Sequence, residues 1–186
     1  MKRGSRVLGI VETSPVLGRS LLCGAITTRF LLEDVGIEFI TIGGMDGTDG
    51  ALRLIRRLYR KDLKLVLFSG RIVAGYNLID VVRIHEEIGL PVVVVPYGRP
   101  KKRISEIIRK IFDDYEERLR IYRRVKSYSV PLSIGGRERI GIVIGIDPKE
   151  AEAFLNSILI GKTPYPIYVA DRIARGLRNS FASLRL

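Results

Sequence analysis

Residues 63–100 read LKLVLFSG (63–70), RIVAGYNLIDVVRIHEEIG (71–89) and LPVVVVPYGRP (90–100), and the fold is decided there. Leu63–Phe68 and Leu90–Val95 are short runs dense in Val and Leu without polar alternation. Strands buried on both faces of a largely parallel sheet have that composition. Between them Leu78, Val81, Val82, His85 and Ile88 recur at helical spacing, so one face of a helix is apolar. Asn77 is placed to cap its start, and Gly89 before Pro91 ends it. Strand, crossover helix and strand make a right-handed βαβ unit. The 69–77 connection then leaves the carboxyl end of a central strand, where open α/β sheets place their sites.

Upstream, Arg6–Glu12 reads as a first strand, Ser20–Leu32 as a second and Gly36–Ile42 as a third. The intervening TSPVLGRS carries Pro15 and Gly18 and reads as a surface turn. Short connections make these three strands an antiparallel meander. A helix over 48–60 follows, with Ala51, Leu52, Ile55 and Leu58 on its apolar face. Downstream, 103–124 reads as one helix, 125–134 and 138–146 as a hairpin around Gly135–Gly136, and 147–160 as a helix capped by Asp147 with Pro148 behind it. A last helix runs over 167–178. Three strands and a helix, then alternating strands and helices, is the order of a ribonuclease H-like α/β fold: a mixed central sheet flanked by helices, in one domain over 1–186.

The chain carries 32 Lys and Arg against 20 Asp and Glu, a formal charge of +12. Much of the excess is local: residues 53–64 hold six bases and one acid, and residues 99–126 eleven bases and five acids. Such clustering favours a polyanionic partner, nucleic acid first; the alternative is the charged, solvated surface of heat-adapted proteins. A single cysteine, Cys23 in an apolar segment, allows no intrachain disulfide and suits an inert core thiol. No apolar run has membrane-spanning length and no signal-peptide core is present, so a cytoplasmic location is expected.

Walker loops, dinucleotide fingerprints, zinc-ligand cysteine sets and nucleophile elbows are absent from the sequence. His85, the one histidine, sits on an apolar helix face and suits a satisfied core residue. Hydrolysis would then fall to carboxylates holding Mg²⁺, a hard cation that prefers oxygen. The acids near expected strand ends are Glu12, Asp46, Asp49 and Asp171. Each has a plain alternative: an exposed strand-end acid for Glu12, helix-start acids for Asp46 and Asp49, a solvent-facing helix acid for Asp171.

The run LFSGRIVAGYNLIDVVRIHEEIGLPVVVV, the helix start GGMDGTD and the tail PYPIYVADRIARGL resemble the archaeal endonuclease dU family over essentially the whole chain. That family is similar to endonuclease V, with a ribonuclease H-like fold and metal-dependent nuclease chemistry. The resemblance implies a metal-dependent DNA endonuclease that hydrolyses a phosphodiester near a deaminated base. Glu12, Asp46 and Asp171 would be catalytic, and Glu12 and Asp46 would hold Mg²⁺ or Mn²⁺. The DNA, damaged or single-stranded, would lie along Gly70, Arg71, Gly75, Tyr76, Arg99, Lys101, Lys102 and Arg103.

The family's pattern is not kept throughout. Its acidic pair after the first strand reads Val11-Glu12 here, and its Asp-Gly-x-Asp reads Gly43-Gly44-Met45-Asp46. Ser69 stands before Gly70 where an Asp is usual, and Ala170-Asp171 where Ala-His is usual. A two-metal site needs several converging oxygen ligands, and Val11 and Gly43 supply none. The departures leave a competing expectation: a nucleic-acid-binding homologue that has lost catalysis through a degraded acidic site. A basic face that docks an acidic protein is the third.

Overall fold

The computed structural model describes residues 1–2, 4–96 and 103–183. Its centre is a seven-stranded sheet in the order β3-β2-β1-β4-β7-β9-β8. β1 (Arg6–Val16), β2 (Arg19–Thr28) and β3 (Leu31–Ile40) form the antiparallel meander. β4 (Leu63–Phe68) adds parallel to β1, and β7 (Val92–Val94) parallel to β4. β9 (Arg137–Ile144) returns antiparallel to β7 and pairs with β8 (Ser129–Ile134) at the far edge. This is the mixed, ribonuclease H-like sheet expected from the element order.

Alternation along β1 sorts the core into two layers. Leu8 and Ile10 face a cluster with Leu22, Ile40 and the buried side of α1 (Gly47–Leu58) and α2 (Val81–Ile88). Val7 and Val11 face the other cluster, with Leu65, Leu67, Val93 and the buried sides of α5 (Pro148–Asn156) and α6 (Tyr165–Ser183). β4 and β7 contribute to both, which is why neither shows polar alternation in sequence. Among the described residues no helix is long and apolar enough to cross a membrane.

Several boundaries differ from expectation, each for a local reason. β1 does not end at Glu12 but runs on to Val16; Pro15 is tolerated because the register shifts between Thr13 and Val16. The second strand stops at Thr28, and Leu31 and Leu32 already belong to β3. The turn between them places Arg29 at φ 57°, a left-handed position without the Gly or Asn that would have marked it. The 103–124 segment is two helices, α3 (Ile104–Ile111) and α4 (Tyr115–Lys126). Phe112 turns extended and Asp114 starts the second helix, whose Glu116 and Glu117 suit a helix amino terminus. Two short hairpins were not foreseen: β5 (Ile72–Val73) with β6 (Asn77–Leu78), and β10 (Leu159–Ile160) with β11 (Thr163–Pro164).

Candidate nucleic-acid cleft

β1 outruns its parallel neighbour. The β1–β4 ladder ends at Ile10 opposite Phe68, with the Ser69 amide donating to the Ile10 carbonyl at 3.1 Å. Beyond that point β1 keeps β2 on one side and, among the described residues, pairs with no strand on the other. α6 crosses above, brought close by Gly9: a Cβ there would lie 2.5 Å from the Pro166 carbonyl carbon. The β10–β11 hairpin delivers Thr163 to the same place. The result is a cleft of about 310 Å³ floored by Val11, Glu12 and Ser69 and walled by Tyr168, Asp171, Arg172 and Arg175 of α6.

The α6 wall is cationic. Arg175 donates through Nε to Asp171 at 2.9 Å, one helical turn away, which leaves its two terminal nitrogens for a ligand. The Arg172 guanidinium stands 5.2 Å from the Tyr168 ring centroid and 4.0 Å from Asp171. One carboxylate against two guanidiniums leaves that wall net positive. Glu12 accepts from the Ser20 hydroxyl.

The structure therefore brings Glu12, Ser69 and Asp171 round one cleft, while Asp46 is not among its lining residues. Asp46 is committed elsewhere. It accepts from the Thr41 amide (3.0 and 3.1 Å), the Thr41 hydroxyl (2.9 Å) and the Asn77 side chain (2.7 Å). Burial opposes its charge, but these bonds outweigh burial and hold its pKa below the ordinary carboxylate value. Asn77 is fully buried and also accepts from the Gly47 amide at 2.8 Å. It thus caps α1, not α2 as its sequence position suggested; Asp80 caps α2, accepting from the amides of Val82 and Arg83 at 3.1 Å each.

The expected strand-contact residues divide. A Cβ on Gly70 would meet nothing within 4 Å, so packing does not demand glycine there. Gly75 is left-handed at φ 66° and lies against Gly43, whose amide donates to the Ala74 carbonyl at 2.6 Å. Tyr76 packs edge-on against Phe112, with ring centroids 6.3 Å apart. Its carbonyl accepts from Arg118. Arg71 is half-buried beside Tyr122. Arg103 is exposed at the start of α3, 3.8 Å from Glu106. Arg99, Lys101 and Lys102 lie outside the described residues. His85 is satisfied by the Leu90 carbonyl at 2.8 Å.

Sequence reasoning missed Arg118, 3 % exposed, which donates to the carbonyls of Gly43, Gly44 and Tyr76 at 2.8–3.0 Å and stacks 3.9 Å from the Phe112 ring centroid. It also missed Arg172 and Arg175. Their signal was present: two arginines three apart on the helix that carries Asp171.

The family model for endonuclease dU matches residues 3–178. A UPF0215 protein of Pyrobaculum calidifontis is 34% identical over 164 residues, covering 87% of this chain and 90% of its own. The chain belongs to the endonuclease dU family. A crystal structure of a protein of unknown function from Archaeoglobus fulgidus superposes with TM-score 0.82 at 27% identity, covering 93% of this chain and 98% of that one. Ciona intestinalis endonuclease V, in complex with a 24mer DNA containing an inosine followed by a ribo-adenosine, shares the fold at TM-score 0.57 and 10% identity, over 95% of this chain and 87% of its own.

A divalent-metal site of the kind implied by endonuclease dU chemistry does not fit the side chains present. Among the described residues no three His, Cys, Asp or Glu side chains gather so that they could hold a metal ion. Asp46 has both oxygens occupied, Asp171 is paired with Arg175, and the adjoining guanidiniums repel a second cation.

Proposed function

We propose that this member of the endonuclease dU family binds a nucleic-acid strand across the cleft between β1, β4 and α6, and has lost efficient hydrolysis. The observation that carries the reading is the α6 wall. Arg172 and Arg175 flank a cleft at the sheet's carboxyl edge, in a family named for a nuclease. Guanidinium forks suit phosphate oxygens. The Tyr168 ring beneath Arg172 adds an aromatic group of the kind that single-strand clefts carry. Supporting the choice of partner, endonuclease V with the same fold takes up DNA containing inosine, and the chain's charge is +12.

Strand binding is tested by fluorescence anisotropy with labelled DNA over a salt series. Each phosphate contact contributes a slope of roughly 0.7 for single strands in log affinity against log salt. The double variant Arg172→Ala/Arg175→Ala should flatten the slope by roughly 1.4. An unchanged slope and affinity in that variant would remove the cleft from the binding site.

One observation favours a second, hydrolytic reading: Glu12, Ser69 and Asp171 line a single cleft. Under it, DNA carrying uracil or hypoxanthine is nicked with Mg²⁺ or Mn²⁺ present, and the Glu12→Ala/Asp171→Ala variant is inert. Equal product from wild type and that variant, with either metal, leaves binding as the function.

A further inference from the structure

The connection that leaves β4 holds a cation that no carboxylate answers. Arg71 is half-buried, and its Nε is enclosed by protein without a hydrogen-bond partner. Among the described residues no Asp or Glu forms an ion pair with it, whereas buried Arg118 has Asp114 and half-buried Arg6 has Glu33 and Asp62. Its neighbour is the Tyr122 ring of α4, 5.2 Å from the guanidinium carbon. Desolvation pushes its pKa down, and only the Tyr122 phenol works in the other direction. A guanidinium held this way costs folding free energy, because it has lost water and gained no counter-charge.

We propose that Arg71 and Tyr122 form a preformed seat for a phosphate group of the bound strand, separate from the Arg172–Arg175 wall. The inference rests on the strand-binding reading of the cleft and extends it. Arg71 follows Ser69 by two residues and belongs to the connection that starts at the cleft floor. Tyr122 belongs to α4, which packs on the α2 side of the sheet, while Arg172 and Arg175 belong to α6 on the other. A strand that passes over the carboxyl end of β4 therefore meets guanidiniums on both sides of Ser69. Tyr122 orients the planar guanidinium through its ring and through its phenol oxygen, which pairs with it, and the donors left over are those a phosphate would take. The ligand class is a phosphodiester or phosphate dianion. Base identity is not read, because phosphate contacts position without specifying.

The test uses the opposite signs that a ligand seat and a structural residue predict. In Arg71→Met the unpaired buried charge disappears and the apolar stem stays, so the free protein should melt at a higher temperature than wild type. The same variant should bind a fluorescein-labelled oligodeoxythymidine roughly tenfold or more weakly, in line with one lost charge-assisted contact. Its salt slope should fall by roughly 0.7. Arg71→Lys, which keeps charge without the fork, should recover part of the affinity. Inorganic phosphate should raise the melting temperature of wild type and leave Arg71→Met unmoved. A lower melting temperature with unchanged affinity in Arg71→Met would make Arg71 a structural residue and overturn the proposal. Failure of the parent reading looks different: wild type would then show no salt-dependent binding. Loss in Arg172→Ala/Arg175→Ala with full affinity in Arg71→Met would reject this seat alone.

Discussion

Replacing Arg118 with Met should cost this protein about 3–5 kcal/mol of stability, the upper range for a change that breaks a buried hydrogen-bond network. Arg118 is 3 % exposed and its guanidinium serves three backbone carbonyls, those of Gly43, Gly44 and Tyr76. A hydrogen bond from a charged donor contributes about 1.5–3 kcal/mol, but water replaces part of this where the Gly43–Gly44 turn is open. The stack on Phe112 adds ~1 kcal/mol or more. Asp114 is exposed enough that its pairing counts for only about 0–1 kcal/mol. Methionine keeps the apolar stem contacts, so the loss reports the charged head. For a domain of this size each kcal/mol moves Tm by about 2–4 °C, giving a fall of roughly 6–20 °C. Urea unfolding should show a lower midpoint with unchanged slope. Hydrogen exchange at Gly43, whose amide bonds Ala74, should quicken more than exchange in β1. A loss under ~1 kcal/mol would refute the view that this residue ties α4 to both loops.

Three further outcomes follow from the same packing. Gly9→Ala places a methyl 2.5 Å from the Pro166 backbone; it should destabilise by about 1–3 kcal/mol and weaken strand binding by displacing α6, which thermal melting and anisotropy check together. Asp46→Asn should lower stability near neutral pH without altering the salt slope of binding. Because the folded pKa of Asp46 lies below its ordinary value near ~3.9, its contribution is full above that pH and is lost as pH falls through the folded pKa. Wild type and variant should therefore converge in melts taken in increasingly acidic buffer, and a gap that widens with acid would contradict the assignment. Finally, exchanging EDTA for Mg²⁺ at matched ionic strength should leave strand affinity unchanged; marked tightening by the metal would show that the acids, not the guanidiniums, organise the cleft.

The 63–95 stretch settled the central architecture from sequence alone. Val-rich runs without alternation suit strands covered on both faces, and both β4 and β7 contribute to two core layers. Helix punctuation was equally legible where the cap is local: Asp147 before Pro148 and Gly89 at φ 72° act within their own turns. The family resemblance pointed to Glu12, Asp46 and Asp171; of these Glu12 and Asp171 line one cleft, together with Ser69, which stands where the family usually has an Asp. Asn77 shows where such reasoning stops. Three residues before Asp80 it has the look of a cap for α2, yet its carbonyl reaches back to the Gly47 amide of another helix. Hydrogen bonds of that kind join residues 30 positions apart, and no local spacing encodes them. Motif likeness paired Asp46 with Glu12, and it gave no sign of the hydrogen bonds that Asp46 accepts from Thr41 and Asn77. Arg118 and Arg71 make the same point with opposite results. In sequence neither arginine carries a mark of its role: Arg118 lies in a basic stretch and Arg71 in an apolar connection. Burial with five hydrogen bonds makes one a structural tie, and the other, half-buried against Tyr122 with no ion pair among the described residues, is the proposed phosphate seat. Composition determines how many charges the chain carries; only tertiary packing decides which of them are already spoken for.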